Sequence, residues 1–133
     1  MGTGLLSPLN PMGDTSKAST PDILRGTLDL LILRSLSFGP AHGYTVAKWV
    51  ESATDDALAL GEGTLYPALH RLEERRWVTA SWGTSANNRQ AKFYALTRRG
   101  RAQLKIETDN WHRYATAVFT ALDAPAPEKS GAK

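Results

Sequence analysis

The sequence contains no cysteine among its 133 residues. A chain without thiols cannot form a disulfide, bind zinc through thiolates or use cysteine as a nucleophile. Because disulfides mark oxidising compartments, their absence makes the cytoplasm the expected location.

Long apolar runs are also missing. No stretch approaches the roughly 20 consecutive apolar residues that a membrane-spanning helix needs. Residues 1–19 have no basic start followed by an apolar block, and Leu6 stands where a myristoylation signal requires Ser or Thr. We therefore expect no membrane partner, secretory signal or lipid anchor.

Groups that would carry catalysis are scattered. The 3 histidines, His42, His70 and His112, fall in separate predicted helices, and the carboxylates of Asp55 and Asp56 lie in a polar segment. No Gly-rich phosphate loop, metal-ligand cluster or nucleophile–base pair accompanies them. We predict a protein that is not an enzyme and that has no cofactor or metal.

The remaining composition fits one small domain. Hydrophobic residues make up 41% of the chain, which is enough for a modest core. The formal net charge of +3 is compatible with a polyanionic partner but is weak evidence by itself.

The stretch 62–77 is the most informative part of the chain. An i, i+4, i+7 apolar stripe is formed by Leu65, Leu69 and Leu72. Pro67 lacks a backbone N–H and is tolerated only near a helix start, so we expect the helix to begin at Glu62 or Gly63.

The opposite face of this helix is small and polar at its start. It carries Gly63, Thr64, Pro67, His70, Arg71 and Glu74. Small residues let a helix N-terminus approach another surface, and its free N–H groups and dipole favour phosphate. An ordinary amphipathic helix with a polar exterior is the alternative.

Two shorter helical segments precede this stretch. Thr20-Pro21-Asp22 is a helix start, and the apolar segment that follows ends at Phe38, before Gly39-Pro40. A second helix covers residues 42–51, where Gly43 and Tyr44 could hold phosphate. Two helices, a turn and a third helix form a helix-turn-helix arrangement.

A β-hairpin is predicted after the third helix. Residues 77–82 and 91–96 both alternate apolar and polar positions, and residues 83–90 between them are polar. Asn87, Asn88, Arg89 and Lys92 could bond phosphate or a minor-groove edge, and the loop has no carboxylate. The hairpin is therefore either a DNA-binding wing or a plain surface hairpin.

A last helix is predicted from a cap at Thr97 to about Leu122. One side of it carries Leu104, Trp111, Tyr114, Ala115, Val118 and Leu122. A long helix beyond a small domain has no core of its own to cover this stripe, so it should pair with a second subunit.

The predicted fold is α+β and mainly α, a winged helix-turn-helix domain followed by a dimerisation helix. The predicted divisions are a flexible tail 1–19, the DNA-binding domain 20–96, the dimerisation helix 97–122 and a flexible tail 123–133.

These segments resemble the PadR family of bacterial transcriptional regulators. The resemblance rests on residues 25–33, on His42-Gly43-Tyr44, and most specifically on the block GTLYPALHRLE at 63–73. It continues through Trp82-Gly83 and the segment 92–100. It implies a winged-helix homodimer that binds a pseudo-palindromic operator, usually as a repressor, and is released by a small phenolic or amphipathic molecule.

The resemblance also implies which residues contact DNA. In the helix these are Gly63, Thr64, Tyr66, Pro67, His70 and Arg71. In the wing they are Asn88, Arg89, Gln90 and Lys92. Many relatives carry more Arg in the wing, so the phosphate contacts of this chain, with Gln90 and Ala91, are expected to be weaker.

We expect the helix that begins near Gly63 to enter the major groove. Thr64, Pro67 and Arg71 would approach base edges, and Arg71 is the candidate for a bidentate contact to guanine. His70 either bonds phosphate or lies at the core edge, and Tyr66 either contacts phosphate or packs beneath the helix.

Trp111 matches the position at which a multidrug-binding branch of the family stacks a planar ligand between two symmetry-related tryptophans. Dimer packing alone is the alternative for this residue. The alternative function for the whole chain is a winged-helix module that binds a protein rather than DNA.

Overall fold

A computed structural model of the protein describes residues 22–128, with side chains from residue 26 onward. Within these residues the elements are, in order, α1 (Asp22–Leu36), β1 (Ala41–His42), α2 (Gly43–Ala53), α3 (Glu62–Glu74), β2 (Val78–Thr84), β3 (Gln90–Leu96) and α4 (Arg98–Asp123). The fold is α+β and mainly helical, and it is a winged helix-turn-helix arrangement with a long C-terminal helix, as predicted.

The core lies between α1, α2, α3 and the sheet. Its largest fully buried side chains are Ile32, Leu33, Leu36, Val46, Val50, Leu69, Leu72 and Val78. The predicted stripe of α3 is confirmed, because Leu65, Leu69 and Leu72 are all buried. Burial of this stripe fixes which face of α3 is left for solvent.

The sheet has three antiparallel strands in the order β1-β3-β2. In the hairpin, Val78 pairs with Leu96 and Thr84 pairs with Gln90. At the turn the ladder therefore extends beyond the predicted end of the first strand and the predicted start of the second. The turn between the strands is correspondingly shorter than predicted. The two-residue strand β1, which pairs Ala41 with Tyr94, was not predicted.

The start of α4 is joined to the corner between α3 and β2. The Thr97 hydroxyl accepts a hydrogen bond from the Gly100 amide at 2.9 Å and donates one to the Arg76 carbonyl at 2.7 Å. The Thr97 amide donates to the Trp77 carbonyl at 3.0 Å. The predicted cap is confirmed, and it also holds α4 against the winged part of the chain.

Several predicted boundaries move by one or two residues. The helix α1 ends at Leu36 rather than Phe38, and His42 is the N-cap of α2 rather than its first residue. Thr20, Pro21 and the predicted tail 1–19 lie outside the described residues. After α4, residues 124–128 are in neither helix nor strand, and residues 129–133 of the predicted tail lie outside the described residues.

Between residues 22 and 128, no helix is both long enough and apolar enough to cross a bilayer.

Candidate nucleic-acid interface

The exposed side of α3 is the starting point of the candidate interface. The helix begins at Glu62, as predicted, and Gly63, Pro67 and His70 are exposed. Its N-cap is Gly61, which has no side chain to cap the N-terminal amides of α3, and Glu62 places a carboxylate in the first turn. Such amides and the positive end of the helix dipole favour an anion.

Arg71 leaves α3 at the edge of this exposed side, but its side chain turns towards α1 rather than extending into solvent. Its Nη2 donates to Oδ1 of Asp29 on α1 at 2.8 Å, and the two side chains are only 29% and 13% exposed. The Nε of Arg71 is buried without a hydrogen-bond partner. The long side chain folds back towards α1, where a carboxylate meets it in partly desolvated surroundings.

His70 is exposed, which excludes the alternative that it lies at the core edge. Its Nε2 lies 3.2 Å from a carboxylate oxygen of Glu74, one turn further along α3. This pair is solvated on both sides and contributes little to stability. The imidazole is therefore available at the surface of α3.

The start of α2 meets α3 through an aromatic ring. A methyl group on Gly43 would stand 2.8 Å from the hydroxyl oxygen of Tyr66. Tyr66 thus packs on the N-terminus of α2 and keeps part of its ring exposed. Tyr44 is 68% exposed, and the Lys48 ammonium lies 5.9 Å from its ring centre.

The wing, which we define as β2, β3 and residues 85–89 between them, has a tight turn. The Ser85 amide donates to the Arg89 carbonyl at 2.7 Å, and the Asn88 amide donates to the Ser85 carbonyl at 3.0 Å. Asn88 has φ +63°, a left-handed conformation that Asn tolerates better than most residues. Asn88 therefore has a structural role in the turn besides its exposed amide.

A groove of about 640 Å³ separates the wing from the N-termini of α2 and α3. Its lining brings together predicted residues from all three elements, namely Gly43, Tyr44, Tyr66, Arg89 and Lys92. Lys92 and Arg89 are exposed at its wing side. The groove has aromatic walls and a basic side, and within it no carboxylate is among the lining residues.

Trp82 also lines this groove and was not predicted as a site residue. It pairs with Lys92 across the hairpin, so both side chains lie on the same face of the sheet as the buried Val78. That face extends beyond the core at this point, which leaves Trp82 68% exposed. The sequence signal for Trp82 was its position as the last apolar residue of the alternation in the first strand, directly before the polar turn.

Tyr94 lies at the inner end of the groove. Burial raises the pKa of its phenol above the ordinary value of 10.0, and Tyr66 and Glu73 raise it further. The Lys92 ammonium lies 5.9 Å from the Tyr94 ring centre. The phenol is therefore neutral at physiological pH.

A second feature lies on α4. Leu122 is 74% exposed, and Trp111, Tyr114, Val118 and Phe119 also present large exposed apolar surfaces, whereas Leu104 packs against the core. The Trp111 and Tyr114 rings are stacked with centroids 5.4 Å apart. The stripe thus begins on the domain and continues, uncovered in this single chain, along the rest of α4.

A cavity of about 480 Å³ lies between α1 and this aromatic pair. It is lined by Gly26, Thr27, Leu30, Glu107, Asn110, Trp111 and Tyr114. The Glu107 carboxylate accepts a hydrogen bond from Gln103 Nε2 at 2.7 Å. The cavity combines two stacked rings with a nearby negative charge.

The described residues contain two helices, a third helix with an exposed small-residue tip, an adjacent wing and a long final helix. Together these elements define the winged-helix class of transcriptional regulator. The sequence matches the Transcriptional regulator PadR-like family over residues 32–106, more than half of the chain. The protein belongs to this family of DNA-binding transcriptional regulators, which are not enzymes.

Individual proteins and solved structures are similar to this chain. An uncharacterised protein X of Lysinibacillus sphaericus is 31% identical over 90 residues, covering 68% of this chain and 83% of that protein. A transcriptional regulator of Clostridium thermocellum is 27% identical, with a TM-score of 0.68 over 75% of this chain and 97% of that one. A PadR family regulator of Eggerthella lenta is 31% identical, with a TM-score of 0.64 over 77% and 88%.

Proposed function

We propose that the protein is a sequence-specific regulator that binds a pseudo-palindromic DNA operator as a homodimer in the cytoplasm and represses transcription. The observation that carries this proposal is the groove between the wing and the N-termini of α2 and α3. It joins the N-terminus of α2, whose N-cap residue makes no side-chain capping bond, to aromatic walls and a basic side without a carboxylate in its lining. Such a surface suits a sugar–phosphate strand beside a helix in the major groove.

In this proposal the N-terminal half of α3 enters the major groove. Thr64 and Pro67 approach the base edges, and Gly63 allows the helix backbone to come close. His70 is exposed one turn further and reaches a phosphate. Because Arg71 is paired with Asp29, we assign it no base contact.

The groove itself holds the phosphate backbone. The DNA-contacting residues here are Gly43, Tyr44, Tyr66, Trp82, Arg89 and Lys92. Asn88, in the turn of the wing, would contact DNA beside the groove. The basic side chains neutralise phosphates, and the aromatic rings of Tyr44 and Trp82 pack on deoxyribose. Contacts of this kind fix position on the duplex, whereas base preference comes from α3.

The homodimer would form through α4. The proposed interface is made by the exposed Trp111, Tyr114, Val118 and Leu122, with the partly buried Leu104 at its edge. The exposed apolar surface on this helix is larger and more continuous than scattered surface residues provide. On this basis residues 20–96 form the DNA-binding domain and residues 97–122 the dimerisation helix, and two domains would contact half-sites about one DNA turn apart.

We also propose a small aromatic or amphipathic effector that binds beside Trp111. The cavity between α1 and α4 offers stacked rings, and Glu107 favours a cationic group. A ligand there would change the direction of α4 and so the spacing of the two α3 helices. Quenching of tryptophan fluorescence by a planar cationic dye should be lost in Trp111→Ala; a variant that still binds the dye and responds to it would place the site elsewhere.

Selection of duplexes from a random pool, followed by gel-shift titration at several salt concentrations, tests the main proposal. We expect an enriched inverted repeat and an affinity that falls steeply with salt, by about 0.9 in log–log slope for each phosphate neutralised. Sedimentation at micromolar concentration should give a dimer. A flat salt dependence without an enriched sequence would instead favour a protein-binding module.

A further inference from the structure

The ion pair between Arg71 and Asp29 links two helices that are distant in sequence. The residues are 42 positions apart, and Nη2 of Arg71 donates to Oδ1 of Asp29 at 2.8 Å. Both side chains are largely covered, unlike the ion pairs of His70 with Glu74 and of Lys105 with Asp109. Water therefore screens this pair less than it screens the pairs on the surface.

This pair restricts the contact that Arg71 can make to guanine. A bidentate contact requires two N–H groups on one edge of the guanidinium to point at the base. In the structure Nη2 points to Asp29 and Nε is buried. The edge of the guanidinium formed by Nε and Nη2 is therefore turned towards α1, and extending the side chain away from α1 to a base would separate the pair.

The position of Arg71 on α3 indicates what the pair does instead. Thr64, Pro67 and Arg71 are spaced at i, i+3 and i+7, so they fall on one strip of the helix. Buried leucines attach the adjacent side of α3 to the core and set its approximate rotation, to which a directional polar contact adds a further constraint. A directional bond at the end of the strip fixes that rotation and therefore the direction of Thr64 and Pro67.

We propose that Arg71 is a positioning residue that acts through Asp29 and makes no contact with a base. The proposal rests on the proposed DNA-binding function, since the strip it orients is the part of α3 assigned to the major groove. It separates two contributions of α3: the tip contacts the bases, and the last turn sets the angle at which the tip is presented.

The test uses the full chain and the duplex selected by the wild-type protein. The variants are Asp29→Asn, Arg71→Gln and the charge exchange Asp29→Arg with Arg71→Asp. We expect each single variant to lower affinity about tenfold without changing the preferred base at any position, and the exchange to recover most of the loss. Asp56→Asn, which removes an exposed carboxylate and keeps a residue suited to its φ of +65°, is the control for lost charge.

A second variant covers the case in which the exchanged pair does not fold. Arg71→Lys keeps the positive charge but lacks the planar group for a bidentate base contact. A positioning role predicts that it retains most of the affinity and the same base preference. Thermal unfolding measured for every variant distinguishes a lost fold from a lost contact.

Two results would overturn the proposal. If Asp29→Asn binds as tightly as Asp56→Asn while Arg71→Gln and Arg71→Lys relax the preference at one base pair, Arg71 contacts that base directly. If the wild-type protein selects no duplex, both the proposed function and the positioning role fail. This result is distinguishable from the first, because it is seen in the wild-type protein before any variant is measured.

Discussion

Tyr66 and Gly43 are in such close contact that a larger residue at the start of α2 would require the tyrosine ring or the helix to move. A β-carbon at position 43 would stand 2.8 Å from the Tyr66 hydroxyl oxygen and 2.9 Å from a ring carbon. These distances are well below ordinary van der Waals contact. The N-termini of α2 and α3, which flank the groove, are therefore held together by this ring.

Gly43→Ala should destabilise the protein by about 1–3 kcal/mol, because Tyr66 or α2 must move. The measurement is the midpoint of chemical denaturation. Gly63→Ala is the matched control, since nothing lies within 4 Å of its added methyl group and helix propensity favours alanine. Equal midpoints for the two variants would show that the contact is not tight in solution.

Lys92→Ala should weaken binding to all duplexes alike and reduce the log–log salt slope by about one unit, since one phosphate contact is lost. Gel-shift titration at several salt concentrations measures this slope. Lys105→Ala on α4, where the ammonium lies 3.7 Å from Asp109 and outside the groove, should leave it unchanged. A change of base preference in Lys92→Ala would assign Lys92 to a base.

Trp82→Ala should lower DNA affinity by about three- to tenfold while changing thermal stability little, because the ring is mostly exposed and, in the proposed complex, packs on DNA. Affinity is measured on the selected duplex, and stability by thermal unfolding. Trp82→Phe should retain most of the affinity. Unchanged affinity in Trp82→Ala would remove the residue from the interface.

Gly100→Ala should destabilise the protein strongly, by about 3 kcal/mol or more, since its methyl group would overlap the carbonyl oxygen of Trp77. Denaturation midpoints measure the effect. Gly26→Ala on α1 meets no neighbouring atom and should be neutral or stabilising. A stable Gly100→Ala protein would mean that α4 can leave the corner between α3 and β2 at little cost.

Tyr94 should make the protein less stable in alkaline solution. Its pKa in the folded chain is raised, so the unfolded chain loses the proton first and the free energy of unfolding falls as pH rises above about 10. Below that pH this residue contributes no pH dependence. Tyr94→Phe, which cannot ionise, should show a smaller fall between pH 9 and pH 11 in denaturation experiments; identical curves would refute the assignment.

The parts of the fold that follow a simple periodicity were predictable from the sequence. The stripe of Leu65, Leu69 and Leu72, the cap at Thr97 and the alternation of the hairpin strands all depend on neighbours within a few residues. The two-residue strand β1 was missed because a strand that short has no pattern of its own. It exists only because Tyr94 offers a free edge beside Ala41.

The site was less predictable where a long side chain can reach several partners. Helical spacing correctly predicts the direction in which Arg71 leaves α3, but its guanidinium can reach several ångströms back to Asp29. That contact depends on how α1 and α3 cross, which sequence spacing does not give. Trp82 was overlooked for a related reason, since alternation does not show where the core beneath a strand ends.

The Thr97 junction makes α4 a lever. At 1.5 Å per residue, its 26 residues extend about 39 Å from that fulcrum. Holding its far end to within about 1 Å therefore fixes its angle at the fulcrum to within about 2°. A contact that holds the distal turns of α4 therefore sets the orientation of the wing and α3, even if that contact is itself positioned only to within about 1 Å.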